Sequence, residues 1–231
     1  MGSDVLGEVL GAAQGVLIDF EGPLCRAFGE AWAVEVAGRL VEVVARRDAV
    51  LAAGSAGVGD PGEVLRRAYA RDAGLGHEVA EALTAAEVEA VEAAGGPTPG
   101  AVAVLEAARD AGRRIAVVSD TSAACVRAFL DRQGLSSYVL HVVGRPEGLP
   151  ELTKPNPYPL IRAAEQLGLD VTLCVLIGDS AADVRAAHAV GAAAVGYADG
   201  PDRARELVDA GAEAVVEGMR GIAEAMAAPA G

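Results

Sequence analysis

Apolar residues follow two rhythms along this chain. The first is a set of short unbroken runs: "GVLIDF", "IAVVS", "YVLHVVG", "LCVLIG" and "AAAVGY". The second fills the spaces between them. In "AVAVLEAARDAGRR", "SAACVRAFLDRQGL", "PYPLIRAAEQLG" and "AADVRAAHAVG", apolar residues recur every three or four positions with charges between. An unbroken apolar run has no polar face to offer water, so it fits a strand covered on both sides. The spaced pattern fits helices that lay one stripe on such a sheet. A weaker pair, "DRARELVDAG" and "EAVVEG", closes the series. The alternation predicts an α/β fold, a Rossmann-like parallel sheet core flanked by helices. Right-handed crossovers then bring the carboxyl ends of all strands to one edge, where such folds bind ligands.

One block breaks the rhythm. From about 26 to 96 no strand-like run occurs, and Ala-, Glu- and Arg-rich pieces are interrupted at "AAGSAGVGDPGE", "AGLGHE" and "AAGGPTPG". This predicts a small all-helical unit inserted after the first strand. The division is then an α/β core of residues 1–24 and 97–231, with residues 25–96 as the helical insert.

Composition narrows the partners. The 231 residues are 52% hydrophobic, ample for a sizeable core, and carry a net charge of −14. A surface this acidic gains nothing from polyanions, so nucleic acid and anionic membranes are poor partners. Cys25, Cys125 and Cys174 are scattered, with no CxxC pair and no neighbouring His cluster, which argues against zinc and against a disulfide framework. The first fifteen residues lack a basic signal region, and no apolar run is long enough to span a bilayer. A cytoplasmic setting is the expectation. Oligomeric state is open.

The chemistry lies just past each strand. The first run ends on Asp19, with Glu21 in the turn beyond; the second ends on Ser119 and Asp120. The third leads to Lys154, and the fourth to Asp179 and, one helical turn further, Asp183. Carboxylates gathered at one edge repel unless a cation sits among them, and oxygen-only ligands select a hard ion such as magnesium.

These four segments resemble the four motifs of the haloacid dehalogenase superfamily, chiefly its magnesium-dependent phosphatases. "LIDFEGPL" is similar to the first motif, D-x-D-G-T-L after a strand, and "IAVVSD" to the second. "TKPNP" is similar to the third and "VLIGDSAADVRAAHAVG" to the fourth, G-D-S-x-x-D. The insert stands where that family carries a helical C1-type cap. The resemblance implies a phosphate monoester hydrolase acting on a small-molecule phosphate through an aspartyl-phosphate. It implies Asp19 as nucleophile and Mg2+ held by Asp19, the main-chain carbonyl of Glu21 and Asp179, with Asp183 as ligand or outer partner. Ser119, the Asp120 amide and Lys154 would hold the phosphoryl oxygens, while Phe20 and Arg26 lie beside the substrate. The acid at position 21 would protonate the leaving oxygen and then activate water.

Position 21 departs from the family pattern, which has Asp there. The extra methylene moves the carboxyl by about a bond length, and misplacement on that scale can cost ~10²-fold. Pro23 in place of Thr is a second departure; it removes an amide donor and stiffens the turn. A phosphomutase, or a binding protein that has lost turnover through Glu21, is the alternative reading. Plain structural uses also stand: Ser119 and Asp120 as helix caps, Lys154 and Arg26 as solvated charges, Asp183 as a hydrogen-bonding anchor, Trp32 as core.

Overall fold

Val16, Leu17 and Ile18 have no solvent exposure, so each contributes on the order of 2 kcal/mol by leaving water. They belong to strand β1 (Gly15–Asp19), preceded by helix α1 (Gly2–Ala12), in a computed structural model that describes residues 2–227. Four helices follow: α2 (Glu30–Ala45), α3 (Ala49–Gly54), α4 (Pro61–Arg71) and α5 (Ala73–Ala93). The rest alternates as α6 (Ala101–Asp110), β2 (Arg114–Val118), α7 (Ala123–Gln133), β3 (His141–Val143), α8 (Tyr158–Leu167), β4 (Cys174–Gly178), α9 (Ala181–His188), β5 (Ala193–Tyr197), α10 (Pro201–Asp209), β6 (Ala214–Val216) and α11 (Met219–Ala227).

The six strands form one parallel sheet in the order β3-β2-β1-β4-β5-β6. Strand order reverses direction at β1, which pairs with β2 on one side and β4 on the other. A crevice forms at such a switch point, above the strands' carboxyl ends. Apolar clusters cover both faces: Leu105, Phe129 and Ile222 on one, Leu160, Val184 and Leu207 on the other.

Helices α2, α4 and α5 pack around a separate apolar cluster that includes Val36, Leu40, Leu65 and Leu83. Capping acids start three of the four helices of this unit. Asp48, Asp60 and Asp72 accept amide hydrogens at the starts of α3, α4 and α5, and Pro61 occupies the first turn of α4. The chain enters this unit after Cys25 and returns to the sheet near Thr98, whose amide donates to the Leu24 carbonyl at 3.0 Å.

The ends of the chain differ from the expectation. Helix α1 stands before the first strand, where the sequence pattern predicts no element, and beyond β6 the chain forms α11, which buries Met219, Ile222 and Met226. The run "YVLHVVG" contributes only three residues to the sheet, because Ser136–Tyr138 turns tightly before it. Among the described residues no helix is long and apolar enough to cross a membrane.

Candidate active site

Strand β1 delivers Asp19 to the crevice with 7% exposure. The Phe20 amide donates to Asp19 Oδ1 at 2.8 Å, which fixes the carboxylate against the strand end. The chain then turns back. Cys25 N donates to Phe20 O, Gly22 N donates to Cys25 O, and the Thr98 hydroxyl donates to Gly22 O at 2.6 Å. Gly22 sits at φ +86°, and a Cβ there would stand 2.3 Å from Asp179 Oδ2. Only glycine lets the Asp179 carboxylate come so close to the first loop.

Asp179 leaves β4, and helix α9 begins immediately. Ser180 caps it: its hydroxyl accepts the Asp183 amide, while Asp183 Oδ2 accepts from Ser180 N at 3.0 Å and Ser180 Oγ at 2.6 Å. This reciprocal box aims the other oxygen of Asp183 back over the strand end. Carboxylate oxygens of Asp19, Asp179 and Asp183 all lie within 4.8 Å of one another.

Lys154, the chain's single lysine, is buried between two of them. Its Nζ stands 2.6 Å from Asp19 Oδ1 and 2.6 Å from Asp183 Oδ1. Its amide donates to Asp120 Oδ1 at 3.0 Å, tying the loop after β3 to the loop after β2. Lys154 is therefore no solvated loop charge. Ser119 is 1% exposed; its hydroxyl pairs with Thr121 Oγ1 at 2.7 Å and accepts the Thr121 amide. The cap of α7 is Ser122 and not Ser119 or Asp120.

Electrostatics follow from this crowding. Burial, then the Asp183 charge, pushes the Asp19 carboxyl well above its usual range, and Lys154 only partly opposes this. Burial and Asp183 raise Asp179 to about 6, and burial also raises Asp120. Burial alone would lower Lys154, but Asp183, Asp19 and Asp120 outweigh it and hold the ammonium above its ordinary value. The set carries more negative charge than one lysine offsets. All its donors are oxygen, and Gly22 leaves room beside Asp179, so the residues fit a hard divalent cation.

Glu21 is half-buried. Its carboxylate accepts from the Ala27 and Phe28 amides at 3.3 and 3.4 Å, and burial pushes it up to about 7. It lines a cleft of about 330 Å³ between the sheet edge and the helical unit, together with Asp120, Thr121 and Lys154.

The two named substrate neighbours, Phe20 and Arg26, are placed differently. The Phe20 ring is wholly buried, edge-on to Phe129 at 5.3 Å, so only its backbone faces the site. Arg26 is exposed, donates to Tyr197 Oη at 2.6 Å, pairs with Asp199 at 3.6 Å, and lines a hollow with Glu21, Phe28 and Asp179 that adjoins the cleft. Trp32 is half-buried and faces the cleft as well as the insert's core.

Sequence reasoning missed Glu87 and Arg145. Glu87 lies on α5, 2% exposed, and Arg145 follows β3. They pair at 2.7 and 3.3 Å, while Glu87 Oε2 also accepts the Ser122 amide and Arg145 donates to Asp120 O. Nothing in "AAEVEAVEA" distinguishes this glutamate from its neighbours.

The sequence profile of the haloacid dehalogenase-like hydrolases matches residues 13–191. The chain belongs to that family. Among curated relatives, a phosphoglycolate phosphatase of Neisseria meningitidis is 38% identical over 104 residues, 45% of this chain and 43% of the relative. A plasmid-encoded phosphoglycolate phosphatase of Cupriavidus necator is 38% identical over 128 residues, 54% of this chain and 53% of the relative. The chain thus spans about half the length of the curated relatives it matches. A solved hydrolase from Pseudomonas syringae superposes with a TM-score of 0.66 over 94% of this chain and 99% of its own, at 19% identity.

Proposed function

We propose that the protein is a magnesium-dependent phosphate monoester hydrolase that works through a phosphoryl group carried on Asp19. The observation that supports this reading most is the meeting of Asp19, Asp179, Asp183 and Lys154 at one strand edge. The curated relatives, phosphoglycolate phosphatases by name, point the same way.

Asp19, Asp179 and the Glu21 carbonyl would hold the ion, with Asp183 behind them. When bound, magnesium supplies positive charge against the phosphoryl oxygens and lets the carboxylates stay ionised. The Asp19 carboxylate attacks phosphorus, and the bond to the ester oxygen breaks as the new bond forms. Lys154 and the backbone of the Ser119–Asp120 loop hold the equatorial oxygens. Glu21 gives its proton to the departing oxygen, then takes one from the water that attacks phosphorus and frees Asp19. The helical unit formed by α2–α5 acts as a cap, closing the cleft and excluding water during the first step.

Hydrolysis of p-nitrophenyl phosphate, with magnesium and with EDTA, tests this directly. Turnover that needs magnesium and vanishes in Asp19→Asn supports the reading. Purified protein that turns over no phosphate ester contradicts it.

A further inference from the structure

The cleft over the strand edge has two unlike walls. On the sheet side stand Glu21, Asp120 and Lys154; on the insert side the half-buried rings of Phe28 and Trp32 lie over the buried Leu65 and Leu83, with Asp60, Arg66 and Glu87 beside them. Aromatic residues make up only 3% of the chain, yet its single Trp and one of its three Phe meet here, ring centroids 4.6 Å apart. Neither ring is fully covered by protein. Two half-open rings facing a pocket offer an apolar group a surface to stack on.

The cations of the same cleft already have partners. Its lining holds three cations, Arg66, Arg145 and Lys154. Lys154 bridges Asp19 and Asp183, and its place is beside the phosphoryl group. Arg145 is closed on Glu87 by two contacts, in a site where the glutamate is 2% exposed. Arg66 reaches Asp60 at 3.0 Å and Glu63 at 3.2 Å. To receive a second anion on the substrate, Arg145 would have to abandon a buried carboxylate, which is costly. Arg66 would have to leave two carboxylates, at less cost because all three side chains are exposed. Asp120, which takes part in no ion pair among the described residues, also faces the cleft and would repel that anion.

Resting on the phosphatase reading above, we infer that the preferred substrate carries a neutral, apolar leaving group, a single aryl ring or short alkyl chain, seated against Phe28 and Trp32. A carboxylate-bearing ester such as phosphoglycolate is selected against. About 330 Å³ is at the small end for ligand pockets, which sets the limit of one ring beside the phosphoryl group.

The test pairs turnover with binding, using the whole chain with magnesium. Expected is a kcat/KM for phenyl phosphate at least tenfold above that for phosphoglycolate, and a KM for phenyl phosphate raised about tenfold by Trp32→Ala. Because Trp32 is the only tryptophan, its fluorescence reports the cleft without catalysis. Phenylphosphonate is expected to shift it, and phosphonoacetate to compete at least tenfold more weakly. Turnover of neither ester, with the phenylphosphonate shift intact, sinks the hydrolase reading and leaves the apolar subsite standing. Tighter competition by phosphonoacetate, faster turnover of phosphoglycolate, or no Trp32 response to phenylphosphonate overturns the inference.

Discussion

Glu87 and Arg145 form a two-point ion pair at 2.7 and 3.3 Å, and it joins the helical insert to the loops that end β2 and β3. Glu87 accepts the Ser122 amide as well, and Arg145 donates to the Asp120 carbonyl. Removing one partner strands a buried charge and an unpaired amide. Glu87→Ala is expected to cost about 3–5 kcal/mol in denaturant unfolding. Glu87→Met with Arg145→Leu should recover most of that, since the buried charge is gone from both sides. A Glu87→Ala protein as stable as wild type would show that water reaches the pair.

How much of this was legible beforehand follows from what a residue's neighbours reveal. Strands β1, β2 and β4 are unbroken apolar runs that end on Asp19, Ser119 and Asp179, and an acid or hydroxyl at the close of a buried run stands out. Glu87 does not stand out, because its partner is 58 residues away and only the folded chain brings them together. Helix α11 escaped for a different reason. Met219, Ile222 and Met226 form a clear apolar stripe, but it runs over only nine residues. Trp32 reads as core by type, and its exposure to the cleft depends on how α2 meets the sheet edge.

Lys154 should tolerate no replacement. It contacts both Asp19 and Asp183, so Lys154→Met removes the ammonium between them and is expected to lower kcat about 10²–10³-fold. Lys154→Arg is expected to rescue little, because a planar guanidinium does not occupy a point-charge site. Steady-state kinetics on p-nitrophenyl phosphate measure both. Near-normal turnover in Lys154→Met would remove it from the mechanism.

Glu21 reaches the Ala27 and Phe28 amides only at 3.3 and 3.4 Å, long enough that neither bond is strong. Glu21→Asp is therefore expected to preserve or raise turnover. Glu21→Gln keeps the shape but cannot shuttle a proton, and should lower kcat about 10²–10⁴-fold. A loss beyond tenfold in Glu21→Asp would show that the longer side chain is required.

The three thiols are buried, and burial raises Cys25 and Cys125 to about 12 and Cys174 to about 11. The thiolate is the reactive form, so Ellman's reagent at pH 8 should label none of them rapidly in the folded protein and all three after denaturation. Folded values above the usual one mean the native state holds these protons longer. Their stabilising contribution is full below about pH 9 and declines as pH rises toward 11–12. Rapid native labelling at pH 8 would contradict that burial.

The decisive measurement is a chemical quench during turnover, followed by peptide mass spectrometry. A phosphoryl adduct is expected on the peptide containing Asp19, labile to hydroxylamine, and absent from Asp19→Asn. Steady hydrolysis with no adduct there, or with the adduct on another residue, would contradict an enzyme that takes phosphorus onto its first strand's carboxylate.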